Sequence, residues 1–191
     1  RRRAAPRTGR AARRTPSRMT LYASHGLFRT LENGAFAARN ATLTGDLRLA
    51  EDVGIWFGCV LRGDDAPLTI GRRTNVQDLT MIHADTGVPN VIGSEVTIGH
   101  RCVLHGARVG DRCLIGMGAI LLGGSVVGDE SLVAAGAVVK EGFVVPPRSL
   151  VAGVPAKLIR PLTDAEVARI VESADGYVAK IRLYLDAGRS P

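Results

Sequence analysis

Aliphatic residues recur at every sixth position through the second half of the chain. The clearest run of such positions is Val109, Ile115, Leu121, Val127, Val133, Val139, Val145 and Val151. The residue two places before each is small, except at Phe143, and glycine or alanine often follows. A period of six does not fit an α-helix, whose period is about 3.6 residues, but it fits a short strand followed by a tight corner. Three such sides close a triangular coil of about 18 residues, and stacked coils make a parallel β-helix.

The same spacing continues upstream, with interruptions. Its members there are Ile70, Val76, Ile82, Ile92, Ile98 and Leu104, with a weaker version at Leu47, Val53 and Cys59. One break covers residues 60–69, and a second, over residues 83–91, is four residues longer than one repeat. The step from Leu104 to Val109 is one residue short. Irregular segments in a regular coil are where function is usually carried.

A helix is predicted after the last repeat. Thr163 and Glu166 form a capping-box pattern at its start. The apolar positions that follow at helical spacing are Val167, Ile170, Val171, Ala174, Val178, Ile181 and Leu185. We expect this stripe to lie along the outside of the coils, with Gly176 weakening or kinking the helix. The predicted fold is therefore all-β, with a β-helix domain over residues 19–161 and a C-terminal helix and tail over residues 162–191.

The net charge of +7 comes from the beginning of the chain. Residues 1–18 contain eight arginines and no acid, whereas the remainder carries 17 basic and 18 acidic residues. A near-neutral domain argues against a nucleic-acid partner, and no apolar run reaches the roughly 18 residues of a membrane span. We expect residues 1–18 to be a disordered basic leader outside the fold, either sequence upstream of a start at Met19 or an organelle transit peptide.

The three cysteines, Cys59, Cys102 and Cys113, lie in apolar contexts. An odd number in such contexts indicates reduced core residues rather than a disulfide framework. The predicted location is therefore a reducing compartment, the cytoplasm, or the mitochondrion if residues 1–18 are a transit peptide.

Two of the four histidines occupy equivalent positions of the repeat. His83 directly follows the inward-facing Ile82, and His105 directly follows Leu104. Counted in repeats, the two are three sides apart, which is one complete coil. We expect them to stack on one edge at the strand spacing of about 4.8 Å, where both can bind one metal ion. His25, before the repeats, is expected to be an ordinary surface residue.

The remaining histidine, His100, lies one side earlier and is expected to leave from a different face. It could reach the equivalent pair on a neighbouring subunit around a threefold axis, which predicts a cyclic trimer with three shared metal sites. Three imidazoles with an open fourth position suit Zn²⁺, and Fe²⁺ and Co²⁺ are also compatible. Such a site lowers the pKa of a bound water to about 7.

Several segments carry a family resemblance. They are WFGCVLRGDDAPLTIG (56–71), RTNVQD (73–78), MIHAD (81–85), VTIGHRCVLHG (96–106), CLIGMGA (113–119) and LVAGVPAKLIR (150–160). With them the chain resembles the γ-class carbonic anhydrases over about residues 30–185. The AGVPAK ending is shared with hexapeptide acyltransferases. The resemblance implies a left-handed coil and a homotrimer that uses zinc to hydrate CO₂ reversibly to bicarbonate.

The resemblance also implies roles for individual residues. The implied zinc ligands are His83, His100 and His105. Gln77, with Asn75 beside it, matches a polar residue that holds water or bicarbonate at the metal, and a neutral amide can do so without competing for the ion. Arg62 matches a residue that links neighbouring subunits near the site and can also steer bicarbonate.

Four aspartates complete the predicted site. Asp64 is the implied partner of Arg62, although that pair could serve trimer stability alone, and Asp78 is expected to support the site from behind its ligands. Asp85 could support the site in the same way or simply be a turn residue, and the turn is the favoured interpretation. The archaeal enzymes export their proton through a glutamate on an acidic loop, and here only Asp65, in the short RGDDAP segment, is available for that step.

Two other functions compete with CO₂ hydration. One is a zinc-dependent acyl-CoA thioesterase or a hexapeptide acyltransferase; acyl transfer usually relies on a single histidine, so three histidines in register argue against the transferase. The other is a non-catalytic, metal-stabilised scaffold subunit. Acyl-CoA hydrolysis assays distinguish the first, and loss of thermal stability without loss of turnover on metal removal distinguishes the second.

Overall fold

The computed structural model describes residues 26–187. They form a parallel β-solenoid with one C-terminal helix, which confirms the predicted fold class. The predicted leader over residues 1–18, and His25, lie outside the described residues. No helix within residues 26–187 is long and apolar enough to cross a membrane.

Most strands of the solenoid are only two or three residues long. In chain order the elements are β1 Phe28–Thr30, β2 Phe36–Ala38, β3 Thr42–Leu49, β4 Gly54–Ile55, β5 Val60–Ile70, β6 Asn75–Val76, β7 Met81–His83, β8 Asn90–Ile92, β9 Thr97–Ile98, β10 Val103–His105, β11 Arg108–Val109, β12 Leu114–Ile115, β13 Ile120–Leu121, β14 Val126–Val127, β15 Leu132–Val133, β16 Val138–Val139, β17 Val144–Val145, β18 Ser149–Ala152, β19 Lys157–Pro161 and α1 Asp164–Ala187. β1 and β19 pair antiparallel with β2 and β18 and cover the two ends of one sheet.

The other strands pair in parallel with strands one coil away and form three faces. The first face is β2, β4, β6, β9, β12, β15 and β18; the second is the first halves of β3 and β5 with β7, β10, β13 and β16; the third is their second halves with β8, β11, β14 and β17. Partners are 18 residues apart in regular coils, as between β12 and β15. The offset is 17 residues between β10 and β13 and 22 between β7 and β10, which confirms the short step and the four-residue insertion.

The aliphatic residue of each repeat points into the coil. Each of the predicted positions is at most 3% exposed: Ile70, Val76, Ile82, Ile92, Ile98, Leu104, Val109, Ile115, Leu121, Val127, Val133, Val139, Val145 and Val151. Burying one such side chain contributes about 1.5–3 kcal/mol. Each packs on the aliphatic residues of the coils above and below, so the coils stabilise one another and none is stable alone.

The weaker upstream register is wrong by two residues. The strand pairing places Leu49, Ile55 and Leu61 opposite Ile70, Val76 and Ile82, so these three are the inward residues that directly precede Ile70 in the repeat. The predicted members Leu47, Val53 and Cys59 each lie two places earlier. Val53 and Cys59 occupy the corner before the strand, where side chains are also fully buried. Hydrophobicity alone therefore could not distinguish the two positions.

All three cysteines lie at this corner position and are buried and free, as predicted. Cys59, Cys102 and Cys113 each stand two residues before an inward side chain. Burial raises the pKa of Cys59 and Cys102 to about 11 and that of Cys113 to about 12. The thiols are therefore protonated at neutral pH and are unreactive core residues.

One corner of the solenoid carries a column of charged residues, which we term the charge ladder. Its members, one coil apart, are Asp52, Arg73, Glu95, Arg112, Glu130 and Arg148. Their φ angles lie between 52° and 58°, in the left-handed region that glycine adopts most readily. The sign of the charge alternates along the column, and the Arg112 and Arg148 guanidinium groups lie 2.7 and 2.8 Å from the carboxylate of Glu130 between them.

The helix packs its apolar stripe on the solenoid. The buried members of the stripe are Val167, Ile170, Ala174, Val178 and Ile181. The helix contacts β1, β4, β6 and β9 of the first sheet and is continuous through Gly176. The predicted capping box is present, because Thr163 N donates to Glu166 Oε2 at 2.9 Å and Glu166 N donates to Thr163 Oγ1 at 3.3 Å.

Charged residues of the helix extend the charge ladder. The pairs are Asp164 with Arg148, Asp175 with Arg73, and Arg182 with Asp52. They lie near the start, the middle and the end of α1, so ion pairs join the helix to the ladder along much of its length.

The capping box makes stability depend on pH. Hydrogen bonds from Arg160 and Thr163 lower the pKa of Glu166 from 4.5 to about 2. A carboxyl group whose pKa is lowered by folding stabilises the fold above pH 4.5, and this stabilisation is lost as the pH falls from 4.5 towards 2. We expect Glu166→Gln to lower the melting temperature at pH 7, and this difference from the wild type should shrink as the pH falls from 4.5 towards 2.

The control is Asp186→Asn, at an exposed position in the last turn of the same helix. This substitution should change neither the melting temperature at pH 7 nor its dependence on pH. A melting-temperature difference between Glu166→Gln and the wild type that is the same at every pH would contradict this prediction.

Candidate metal centre

His83 and His105 are neighbours on the second face. They end β7 and β10 and are paired directly in the register of these strands, as their place in the repeat predicts. Their ring centroids are 5.3 Å apart, and the ring planes are inclined by 60°. The pairing brings two imidazoles to one edge of the solenoid, where both are partly exposed.

Two acids from β5 meet His83. Nε2 of His83 lies 2.8 Å from Asp65 Oδ2 and 3.4 Å from Asp64 Oδ1. One potential ligand atom from each of Asp64, Asp65 and His83 lies within 4.8 Å of the other two. These three residues are therefore a possible cation site in the described part of the chain. A Cβ on Gly63 would lie 2.4 Å from the carbonyl oxygen of Asp46, so the RGDD segment needs glycine there for β5 to approach β3.

Arg62 pairs with Asp64 within the same chain. Arg62 Nε donates to Asp64 Oδ2 at 3.0 Å, and a second guanidinium nitrogen lies 3.9 Å from Asp65. Desolvation acts to raise the pKa of Asp64, but the hydrogen bond from Arg62, a backbone hydrogen bond and the positive charge of Arg62 outweigh it and leave the pKa below its ordinary value. Asp64 is therefore a carboxylate at neutral pH and adds negative charge beside His83.

His100 lies on a different edge, as predicted. It follows β9 on the first face, and its Nδ1 lies 2.7 Å from Asp78 Oδ2. The other oxygen of Asp78 accepts a hydrogen bond from Phe57 N at 3.3 Å, which holds the carboxylate in place. A carboxylate on Nδ1 leaves Nε2 as the nitrogen available to a metal.

Asn75 and Gln77 lie on the same side of the molecule as His100. Both amides are buried, and Gln77 Nε2 donates to Asn75 Oδ1 at 3.2 Å. Gln77 and His100 line a cavity of about 400 Å³ between α1 and the first face, whose other walls include Met117 and Tyr177.

The predicted site residues therefore form two separate groups in one chain. The first, on the second face, contains Arg62, Asp64, Asp65, His83 and His105, and the second, on the first face, contains Asn75, Gln77, Asp78 and His100. Within residues 26–187 the group of potential metal ligands around His83 consists of Asp64, Asp65 and His83 and includes neither His100 nor His105. Each group is half of the predicted site.

Comparison with known proteins decides the family. Residues 106–141 match the family model described as bacterial transferase hexapeptide (six repeats). The chain is 43% identical to a carbonic anhydrase of Geobacillus kaustophilus over 86% of this chain and 90% of that protein. The chain belongs to the γ-class carbonic anhydrase-like family. It is also 42% identical to gamma carbonic anhydrase 2, mitochondrial, of Arabidopsis thaliana, over 78% of this chain and 55% of that protein.

A solved structure shares both the fold and part of the sequence. It is a hexapeptide transferase family protein from Anaplasma phagocytophilum, with a TM-score of 0.71, 37% identity, and coverage of 78% of this chain and 92% of that one. The γ-class carbonic anhydrase-like family and the hexapeptide transferases thus have the same solenoid, and the side chains on its edges must distinguish them.

Two residues near the histidine pair make contacts that the sequence did not predict. Asp85, interpreted as a turn residue, does accept a hydrogen bond from Val88 N, but its carboxylate also lies 3.7 Å from His105 Nδ1. Asn90 was not considered. Its side chain is buried, donating to His83 O at 2.7 Å and accepting from Ala107 N at 2.8 Å. An asparagine that begins a strand directly after the irregular loop was the available signal.

Asn90 holds together the ends of the two strands that carry the histidine pair. Replacing it with alanine leaves the buried Ala107 N–H without its acceptor, so we expect Asn90→Ala to cost about 1–3 kcal/mol of unfolding free energy. Asn40→Ala is the matched control, because Asn40 is exposed and accepts one backbone hydrogen bond, from Gly58. Urea unfolding measures both. Equal losses for the two variants would show that Asn90 has no special role.

Proposed function

We propose that this chain is a γ-class carbonic anhydrase that hydrates CO₂ reversibly to bicarbonate. In the proposed homotrimer, a zinc ion lies between subunits, held by His83 and His105 of one subunit and by His100 of the next. The observation that carries the proposal is the direct pairing of His83 with His105 while His100 stands on another face. One chain alone presents the two halves of a three-histidine site to two different neighbours.

The residues fit a zinc ion by their chemistry. Imidazole nitrogens are among the preferred ligands of zinc, and each of the three rings has a carboxylate within 3.7 Å of a ring nitrogen. Such carboxylates fix the tautomer of a ligating histidine and increase its basicity. The negative charge of Asp64 and Asp65 beside His83 also favours a cation at this edge.

Four polar residues supply the rest of the proposed chemistry. Zinc, when bound, acts as a Lewis acid and brings the pKa of a bound water to about 7. Gln77 is oriented by Asn75 so that its carboxamide can hold water or bicarbonate. Arg62, partly exposed, attracts bicarbonate. Asp65, also partly exposed, is the proposed acceptor that passes the proton of hydration to bulk water.

A second candidate function is acyl-CoA hydrolysis or acyl transfer. The cavity of about 400 Å³ beside Gln77 and His100 favours it, because Leu114, Met117 and Leu132 give it apolar walls that could hold an acyl chain. The likeness to a hexapeptide transferase family protein points the same way. The three buried, protonated thiols agree with a reducing compartment, and we propose the cytoplasm, or the mitochondrion if residues 1–18 are a transit peptide.

Metal analysis per trimer combined with stopped-flow CO₂ hydration tests the proposal. We expect about one zinc per subunit, and His83→Ala, His100→Ala or His105→Ala should abolish metal binding and hydration together. His25→Ala, the fourth histidine, is the matched control and keeps both. Elemental analysis distinguishes zinc from Co²⁺, and parallel aerobic and anaerobic preparations reveal Fe²⁺, which oxidises in air. Hydration that persists in a metal-free variant would contradict the mechanism, and metal that raises thermal stability without turnover would indicate a scaffold.

Mixed trimers test whether the site is shared between subunits. Equal amounts of His83→Ala and His100→Ala subunits are refolded or expressed together. About a quarter of the metal sites should be regained. The reason is that one interface in four then combines an intact His83–His105 pair of one subunit with an intact His100 of the next. No recovery would show that all three ligands come from one chain. An acyl-CoA hydrolysis panel, run beside the hydration assay, tests the second candidate.

A further inference from the structure

A row of hydrogen bonds connects Gln77 to the C-terminal helix. Gln77 Nε2 donates to Asn75 Oδ1 at 3.2 Å, Asn75 Nδ2 donates to Thr97 Oγ1 at 3.0 Å, and Thr97 Oγ1 lies 3.3 Å from Ser173 Oγ. Asn75 and Thr97 are paired one coil apart on the first face, and both are buried. Ser173 is the one member of the row that comes from α1.

A backbone carbonyl fixes which group donates and which accepts in each hydrogen bond between the amides of this row. Asn75 Nδ2 also lies 3.4 Å from Val96 O, which can only accept a hydrogen bond. The Asn75 amide therefore turns its NH₂ group towards Val96 and Thr97, and its oxygen towards Gln77. Gln77 must donate through Nε2, so its Oε1 is the atom left for the cavity. Thr97 accepts from Asn75, and its own hydroxyl hydrogen is then free to be donated to Ser173.

We propose that Ser173 is a positioning residue that keeps the acceptor oxygen of Gln77 directed into the cavity. This rests on the proposed function, in which Gln77 holds water or bicarbonate. Without the Ser173 hydroxyl, the Thr97 hydroxyl hydrogen has no acceptor on α1 and turns towards Asn75 Nδ2, which also donates. Val96 O still fixes which way the Asn75 amide faces, but the bond from Asn75 to Thr97 is weakened, and the amides of Asn75 and Gln77 are held less firmly.

The ion pair of Asp175 with Arg73 supports this role. Asp175 stands two residues after Ser173 on α1 and pairs with a member of the charge ladder. The buried Ala174 lies between them and packs α1 on the solenoid. The turn that carries Ser173 is thus attached to the same coil that carries Asn75 and Gln77, and its hydroxyl is held at a fixed height along the first face.

The kinetic test is a double-mutant cycle. We expect Ser173→Ala to lower kcat/KM for CO₂ hydration about three- to tenfold with unchanged metal content, the effect of one lost hydrogen bond. In a Gln77→Ala background the same substitution should have no further effect, because Ser173 acts through Gln77. Ser173→Thr keeps a hydroxyl and should restore the rate. Glu172→Ala, at the exposed neighbouring position of α1, is the matched control.

A second readout does not depend on activity. In the protein as purified, the side-chain NH₂ protons of Asn75 and Gln77 should exchange slowly with solvent, faster in Ser173→Ala, and slowly again in Ser173→Thr. If the wild type does not hydrate CO₂, the proposed function fails, and this exchange measurement still decides the role of Ser173. Unchanged amide exchange in Ser173→Ala, or rate losses from Ser173→Ala and Gln77→Ala that multiply, would overturn the inference.

Discussion

The parallel backbone pairing between successive coils is the constraint on which the rest of the molecule depends. It fixes the distance between equivalent residues at one strand spacing, about 4.8 Å, and it does so for core and surface positions alike. Inside the coil this spacing brings aliphatic side chains into contact. On the edge it brings His83 beside His105, with ring centroids 5.3 Å apart. The same backbone pairing between coils thus positions both the core residues and the residues of the candidate metal centre.

The sequence was sufficient for much of this architecture, because the repeat converts spacing into position. Counting repeats through the irregular loop was enough to pair His83 with His105 and to separate His100. The counting of repeats failed before Ile70. There Val53 at the corner and Ile55 in the core are both fully buried, so two registers of the repeat fit the sequence equally well.

Contacts that depend on the path of a loop or on the rotation of a helix could not be predicted. The repeat contains no information on where the side chains of Asp85 and Asn90 point, because both belong to the insertion or follow directly after it. The helical pattern identified the buried stripe of α1, but the contact of Ser173 with Thr97 requires the position of that helix along the solenoid. The charge ladder was not predicted either, because its members can be aligned only when the coil that each residue belongs to is known.

The charge ladder limits how this solenoid can change in length. Its neighbours are opposite in charge at every step, so removal of one whole coil would place two arginines or two acids side by side at the corner. Removal of two coils would preserve the alternation. The hydrophobic repeat is the same whether one coil or two are removed. In the charge ladder, by contrast, only removal of an even number of coils keeps unlike charges next to each other. Insertion or removal of coils in pairs would therefore keep unlike charges side by side along this corner, whereas a change by one coil would not.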